Sequence, residues 1–264
     1  MNVLMMTDLE GVAGVVSFEP QTYSTGPENR RACRLLTAEI NAAVDALVES
    51  GAEDVLVADY HGPGAVVFEE LHPAARLLHG RPLAPRSRII EATAGCDVCM
   101  IVGQHAMAGT VEGDLNHTQS SRAIDSITLN GRPIGEIAQF ALQQGALGRA
   151  VIFLSGDEAA CREAEALIDG ITTVAVKRGL GRNCAISLSA AEARKRIGEG
   201  VVEAVRKHRE HPVAPLTWPG PYVLEKRFFH TDVADRAADA PDAERLDSQT
   251  VRFRSDDILQ IIYR

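Results

Sequence analysis

The chain has 264 residues, of which 45% are hydrophobic and 24% charged, the ordinary balance of a water-soluble globular protein. Lys and Arg number 27 against 36 Asp and Glu, a formal net charge of −9, which argues against a general grip on nucleic acid or an anionic membrane surface. No run of about 18 apolar residues exists to span a bilayer, and the opening Met1 to Asp8 lacks the basic segment of a signal peptide. Five scattered cysteines, Cys33, Cys96, Cys99, Cys161 and Cys184, are an odd number without a disulfide spacing, so a reducing, cytoplasmic setting is expected.

Val3 to Met6 reads as a buried first strand. Glu28 to Ser50 reads as a helix, with Leu36, Ile40, Ala43, Val44 and Leu47 on one face and Gly51 as its stop. Strands are expected at Asp54 to Ala58 and Asp97 to Val102, with a short helix between them at Leu71 to Leu78. Ile124 to Leu129 followed by Asn130-Gly131 predicts a hairpin, because both turn residues tolerate positive φ. A helix over Ile134 to Gln144 and a strand over Ala150 to Leu154 follow.

Ser155-Gly156-Asp157-Glu158 has capping-box spacing and opens a helix to about Ile168. After a strand at Thr172 to Val176, Ser189 to Glu192 repeats that spacing before a helix to about Lys207. A proline-rich break runs from His211 to Pro221. Beyond it, strands are expected at Tyr222 to Phe229 and Ser248 to Arg254, and short helices at Asp232 to Ala238 and Asp256 to Tyr263. Alternating strands and helices define an α/β protein with a mainly parallel open sheet flanked by helices. The break divides a domain over residues 1–211 from a smaller α+β C-terminal lobe over 212–264.

Three expected strands end alike. They run into Asp8-Leu9-Glu10-Gly11, Asp59-Tyr60-His61-Gly62 and Gly103-Gln104-His105-Ala106. In an open parallel sheet the ligand crevice lies beyond the carboxyl ends of the strands. Residues i and i+2 of an extended chain point the same way, so Asp8 with Glu10, and Asp59 with His61, can each converge on one point. Flanking glycines permit close backbone approach. Two carboxylates and two imidazoles form a donor set suited to Zn²⁺ or a similar divalent ion. Each piece alone has an ordinary reading, since Asp after a strand is a common turn residue and a loop His is commonly just solvated. Cys96-x-x-Cys99 lacks a second pair, and its place at an apolar strand suits a buried structural pair.

With these residues assembled, the chain resembles the D-aminopeptidase family of dinuclear-zinc metallopeptidases over nearly its whole length. The matching stretches are Asp8-Leu9-Glu10-Gly11-Val12-Ala13-Gly14, Val57 to His61, Leu71-His72-Pro73, Val102 to Ala106, Asn116-His117-Thr118, Asn130 to Glu136 and Gly156-Asp157. The resemblance implies that Asp8, Glu10, His61, His105 and Glu136 bind two Zn²⁺ per subunit, with Asp8 bridging them. It implies that His117 is a catalytic, activating or nucleophilic histidine. Read from residues alone, Glu136 is a first-turn helix carboxylate favourable to the helix dipole, and Asn116-His117-Thr118 is a polar loop. The resemblance further implies a homo-oligomer, a decamer in the typical member.

The implied activity is zinc-dependent hydrolysis of short peptides or aminoacyl amides with a free N-terminus, D-stereospecific in the family. Acidic groups near the site would pair with the substrate amine. The alternative on the same metals is hydrolysis of non-peptide amides, lactams or esters, and a non-catalytic binding protein is the reading from another class. The compact loop Gly62-Pro63-Gly64-Ala65 and the acidic segment Gly109 to Asp114 depart from the family pattern.

Overall fold

The computed structural model describes residues 1–264. Twelve strands and seven α-helices alternate through most of the chain. In order they are β1 (Asn2–Thr7), α1 (Asn29–Glu49), β2 (Asp54–Asp59), β3 (Ala75–Leu78), α2 (Arg86–Ala92), β4 (Val98–Gln104), β5 (Ile124–Leu129), β6 (Arg132–Pro133), α3 (Glu136–Ala146), β7 (Ala150–Asp157), α4 (Glu158–Leu167), β8 (Thr172–Gly181), β9 (Cys184–Ser187), α5 (Ala190–Glu210), β10 (Tyr222–Phe228), α6 (Thr231–Ala238), β11 (Ala243–Arg245), β12 (Thr250–Ser255) and α7 (Ile258–Ile261).

Seven strands form the main sheet in the order β3-β2-β1-β4-β7-β8-β9. All neighbours run parallel except β9, which returns antiparallel along β8. The chain steps outward from β1 to β2 and β3, then crosses back to β4 and continues the other way. The reversal falls between β1 and β4, where the diverging loops of a doubly wound sheet leave a crevice. β1, β4 and β7 are buried almost throughout, as a continuous apolar strand covered on both faces must be.

A second sheet, β11-β12-β10-β5-β6, is antiparallel and has its own apolar cluster. Its strands come from 124–133 as well as from the end of the chain. The Asn130-Gly131 turn has positive φ at both residues, 51° and 74°, and joins β5 to β6 as a hairpin.

Two local expectations need correction. Leu71 to Leu78 is not a helix; Ala75 to Leu78 forms β3, an edge strand paired in parallel with β2 at Val55–Ala75. Four residues carry no periodicity able to separate helix from strand, and the open edge of β2 decides. Ser155 does not cap α4, because Ser155 and Gly156 continue β7. Asp157 is the cap, its Oδ1 accepting from the Ala160 amide at 2.6 Å. The second expected cap holds: Ser189 accepts from the Glu192 amide. The strands β9 and β11 and the helix α2 have no counterpart among the expected elements.

Candidate metal centre and active site

The site lies at the β1/β4 reversal. Asp8 and Glu10 follow β1, His61 follows β2, His105 follows β4, and Glu136 opens α3. Close strand ends require the glycines here. A side chain on Gly11 would collide with the Gln104 carbonyl, and one on Gly103, which has φ of +80°, with the Asp8 carbonyl.

Asp8 and Glu10 point the same way and are both buried, at 5% and 4% exposure. Their partner from β2 is His61, whose Nδ1 lies 3.1 Å from Asp8 Oδ1 and 3.0 Å from Glu10 Oε2. The other Asp8 oxygen faces a different ring: Oδ2 is 3.1 Å from His105 Nε2. His105 Nε2 is also 3.6 Å from Glu136 Oε1, and His117 Nε2 is 3.9 Å from that same oxygen. The His105 and His117 rings stack at 4.0 Å. Asp59 does not join this set. Its Oδ2 accepts from the Ala65 and Val66 amides and shapes the loop after His61, so the i/i+2 argument places His61 in the site and Asp59 in a turn.

Each histidine is anchored on one ring nitrogen by a backbone carbonyl. His61 Nε2 meets Thr22 O at 2.8 Å, His105 Nδ1 meets Ala106 O at 2.9 Å, and His117 Nδ1 meets Leu115 O at 2.9 Å. A carbonyl only accepts, so the proton sits on the anchored nitrogen. The opposite nitrogen of each neutral ring then offers a lone pair. In His61 and His105 that lone pair faces carboxylate oxygens. Acceptor facing acceptor in a buried site demands a cation between them. The anchoring pattern is that of metal-ligating histidines, whose second nitrogen is tied to an outer partner.

Where no metal ion is bound, a proton on each of these two rings serves as that cation, and the carboxylates hold it tightly. Burial alone would push His105 down, but the charges of Glu136 and Asp8 override it and raise it to about 10. Burial opposes protonation of His61 too, yet Glu10 and Asp8 raise it well above its ordinary value. Burial would raise Asp8, and its bonds to His105 and His61 instead hold it far below the usual carboxylate range. His117 goes the other way: burial, and then the neighbouring His105 charge, lower it. The donor set fits a divalent metal. His105 Nε2 has no properly aligned hydrogen-bond partner despite full burial. The ligand atoms of Asp8, Glu10 and His105 lie within 4.8 Å of one another, as do those of His105, His117 and Glu136. His105 belongs to both trios.

Asp8, Glu10, His61 and Glu136 floor a cavity of about 530 Å³, with His105 buried beneath it. Thr22, Tyr23 and His117 line it together with Tyr60, Gln119 and Tyr263. Apart from His117, none of these is an expected site residue. Thr22 and Tyr23 belong to a π-helical turn and its cap, a rare local form often found at functional sites. Tyr263 arrives from the far end of the chain. No local pattern marks any of them; only the tertiary structure brings them here.

An α/β fold with a carboxylate–histidine cluster at its reversal point defines a metal-dependent enzyme of the hydrolase type. The family model described as D-aminopeptidase, peptidase family M55, matches residues 1–263, and the chain belongs to that family. A D-aminopeptidase of Bacillus subtilis (strain 168) is 31% identical over 265 residues, covering 98% of this chain and 93% of the relative. Among solved structures, the zinc-dependent D-aminopeptidase DppA of Bacillus subtilis, described as a self-compartmentalizing protease, superposes with a TM-score of 0.91. It is 29% identical, and the match covers 100% of this chain and 94% of that one.

Proposed function

We propose that the protein is a zinc-dependent aminopeptidase that cleaves short peptides or aminoacyl amides at a free N-terminus, with the D-stereospecificity of its family. The observation that carries the reading is Asp8, with one carboxylate oxygen toward His61 and the other toward His105. That placement suits a bridging ligand between two Zn²⁺ ions per subunit. Asp8, Glu10 and His61 would hold one, and Asp8, His105 and Glu136 the other. When bound, such ions polarise the scissile carbonyl and acidify water.

The chain's own groups do the rest. Thr22 and Ala106 carbonyls fix the tautomers of His61 and His105. His117 is the reacting group. Its Nδ1 proton is held by Leu115 O, and its lowered pKa leaves the Nε2 lone pair free near neutral pH. Attack of that lone pair on the carbonyl carbon would generate charge on the ring, which Leu115 O stabilises through the Nδ1 proton. The C–N bond breaks as the amine leaves with a proton from water, and the hydroxide left behind cleaves the acyl–imidazole bond, releasing the acid and restoring the neutral ring. The partners are small peptides or amides and further copies of this chain, a homo-oligomer that the family resemblance makes a decamer. No helix is long and apolar enough to cross a membrane. All five cysteines are free, four of them buried, which fits a cytoplasmic setting.

Metal analysis with kinetics tests this. Wild type should carry two zinc per chain and release free amino acid from aminoacyl amides. Asp8→Asn should bind at most one zinc, because the bridge is lost. His117→Ala should keep both and lose at least about 10³-fold in kcat, because the attacking ring is gone. Zinc at or below one per chain after reconstitution would overturn the dinuclear reading.

A further inference from the structure

Two arginines line the site cavity, Arg86 and Arg122. Arg122 is 67% exposed, has Glu19 Oε1 at 3.5 Å, and lies 4.2 Å from the centre of the Tyr23 ring. Arg86, in the first turn of α2, is half-buried and pairs with no carboxylate. Its one protein hydrogen bond runs from Nη1 to the Leu259 carbonyl at 2.5 Å. Its guanidinium lies over the Tyr263 ring, 5.4 Å from the centroid.

These two contacts hold the guanidinium and leave one edge of it idle. A guanidinium grips a carboxylate most strongly through two parallel N–H bonds, and the Nε–Nη2 edge offers such a pair. Arg76 uses that edge on Asp54 in this same molecule. In Arg86 no protein acceptor meets Nε or Nη2, and neither atom is closed off from solvent. A tie between α2 and the end of the chain needs only the N–H that meets Leu259.

Three observations put the charged end of Arg86 at the cavity. Arg86 and Ile89 are one turn apart on α2, and both line it. Tyr263, beneath the guanidinium, lines it too. Burial pushes the Tyr263 hydroxyl well up; Tyr60 and Glu136 add to that, and the Arg86 charge opposes it. The guanidinium and a carboxylate of the metal centre thus act on the same hydroxyl. The cavity wall therefore carries an uncommitted cation besides Asp8, Glu10 and Glu136. A short peptide with a free N-terminus brings its own carboxylate at the other end.

We propose that Arg86 binds the C-terminal carboxylate of the substrate through its Nε–Nη2 edge, so that the protein selects short free peptides over those whose C-terminus is amidated. The proposal rests on the aminopeptidase reading for the nature of the ligand.

Calorimetry on the zinc-loaded protein would compare two ketomethylene dipeptides, in which a CH₂ group replaces the scissile NH. One ends in a carboxylate, the other in a carboxamide. Wild type should bind the acid about 10–100-fold more tightly, the worth of a hydrogen-bonded charge pair. Arg86→Met keeps the apolar stem and removes the fork. It should weaken the acid until the two ligands bind within twofold of each other, and spare the amide. Arg86→Lys keeps the charge without the fork and should retain part of the preference. Arg122→Met should leave the preference as in wild type. On the cleavable dipeptide and its amide, kcat/KM should follow the same ratios.

Equal weakening of both ligands by Arg86→Met would mark a purely structural arginine and overturn the proposal. So would a wild type without acid preference, a preference that survives Arg86→Met or vanishes with Arg122→Met, or a wild type that binds neither ligand. Failure of the aminopeptidase reading shows separately, as an Arg86-dependent acid preference in a protein that turns over no aminoacyl substrate.

Discussion

Asp8 and Glu39 are both buried carboxylates, and their surroundings send them in opposite directions. Asp8 has two imidazoles and a demand for cations. Glu39, on α1, has one hydrogen bond, accepted by Oε1 from the Ala13 amide at 3.0 Å, and its Oε2 is buried without a partner. Burial pushes Glu39 up to about 8, with the Ala13 bond and the distant Lys177 charge too weak to restore it. The folded pKa thus exceeds the unfolded value of 4.5, so the folded state holds the proton more tightly. Stability falls as pH rises from about 4.5 to about 8 and is level beyond. The Glu39→Gln variant keeps an acceptor for the Ala13 amide and cannot ionise. Its thermal melts should show a higher Tm than wild type at pH 8, by at least the ~2–4 °C that ~1 kcal/mol produces in a chain this size, since a shift this large is worth more than that. At about pH 3.5, below the unfolded value, the two proteins should match. A variant less stable at pH 8 would contradict the account.

At the scale of elements, the site depends on how separate strand ends are tied together. Lys177 of β8 reaches across the sheet. Its Nζ donates to the Glu10 and Val15 carbonyls and pairs with Asp114 Oδ2 at 2.6 Å, all fully buried. One ammonium thus holds the loop carrying Glu10 and the segment leading to His117. Asp157, the cap of α4, accepts from the Asp114 amide and extends the same network. Lys177→Met should cost about 3–5 kcal/mol, because it strands the Asp114 carboxylate. The double variant Lys177→Met/Asp114→Asn should recover part of that in denaturant unfolding. Both should bind zinc more weakly than wild type, since the Glu10 backbone is released in each. Equal stability of single and double variants would show that the pair is not the source of the cost.

The same scale shows what was legible in the sequence. Asp8, Glu10, His61 and His105 follow strands that are strongly apolar and short, so strand-end position alone groups them. Glu136 follows a hairpin and opens a helix, where a carboxylate is ordinary, and nothing in its neighbourhood points to His105. Family resemblance supplies it and His117; the structure places both beside His105. The Leu71 to Leu78 segment was illegible because an edge strand takes its identity from the partner beside it.

For the whole molecule, the two sheets have separate apolar clusters, and the cavity draws on both parts of the chain. Tyr263, next to the last residue, stands in the cavity with Tyr60, and Gln139 Nε2 of α3 binds the Ile262 carbonyl at 2.8 Å. The end of the chain is therefore part of the site wall. Assembly belongs to this scale as well. Native mass spectrometry should find ten copies if the proposed decamer forms, and a monomer would refute it.

The sequence by itself determined the parallel α/β plan, the hairpin at Asn130-Gly131 and the three strand ends that carry the carboxylates and imidazoles, because apolar periodicity and turn chemistry are local. Only the tertiary structure decided which carboxylates meet which imidazoles, which carbonyls fix their tautomers, and that Tyr263 reaches the cavity. Those are contacts between residues distant along the chain, and they depend on how the sheets pack rather than on any neighbouring residue type.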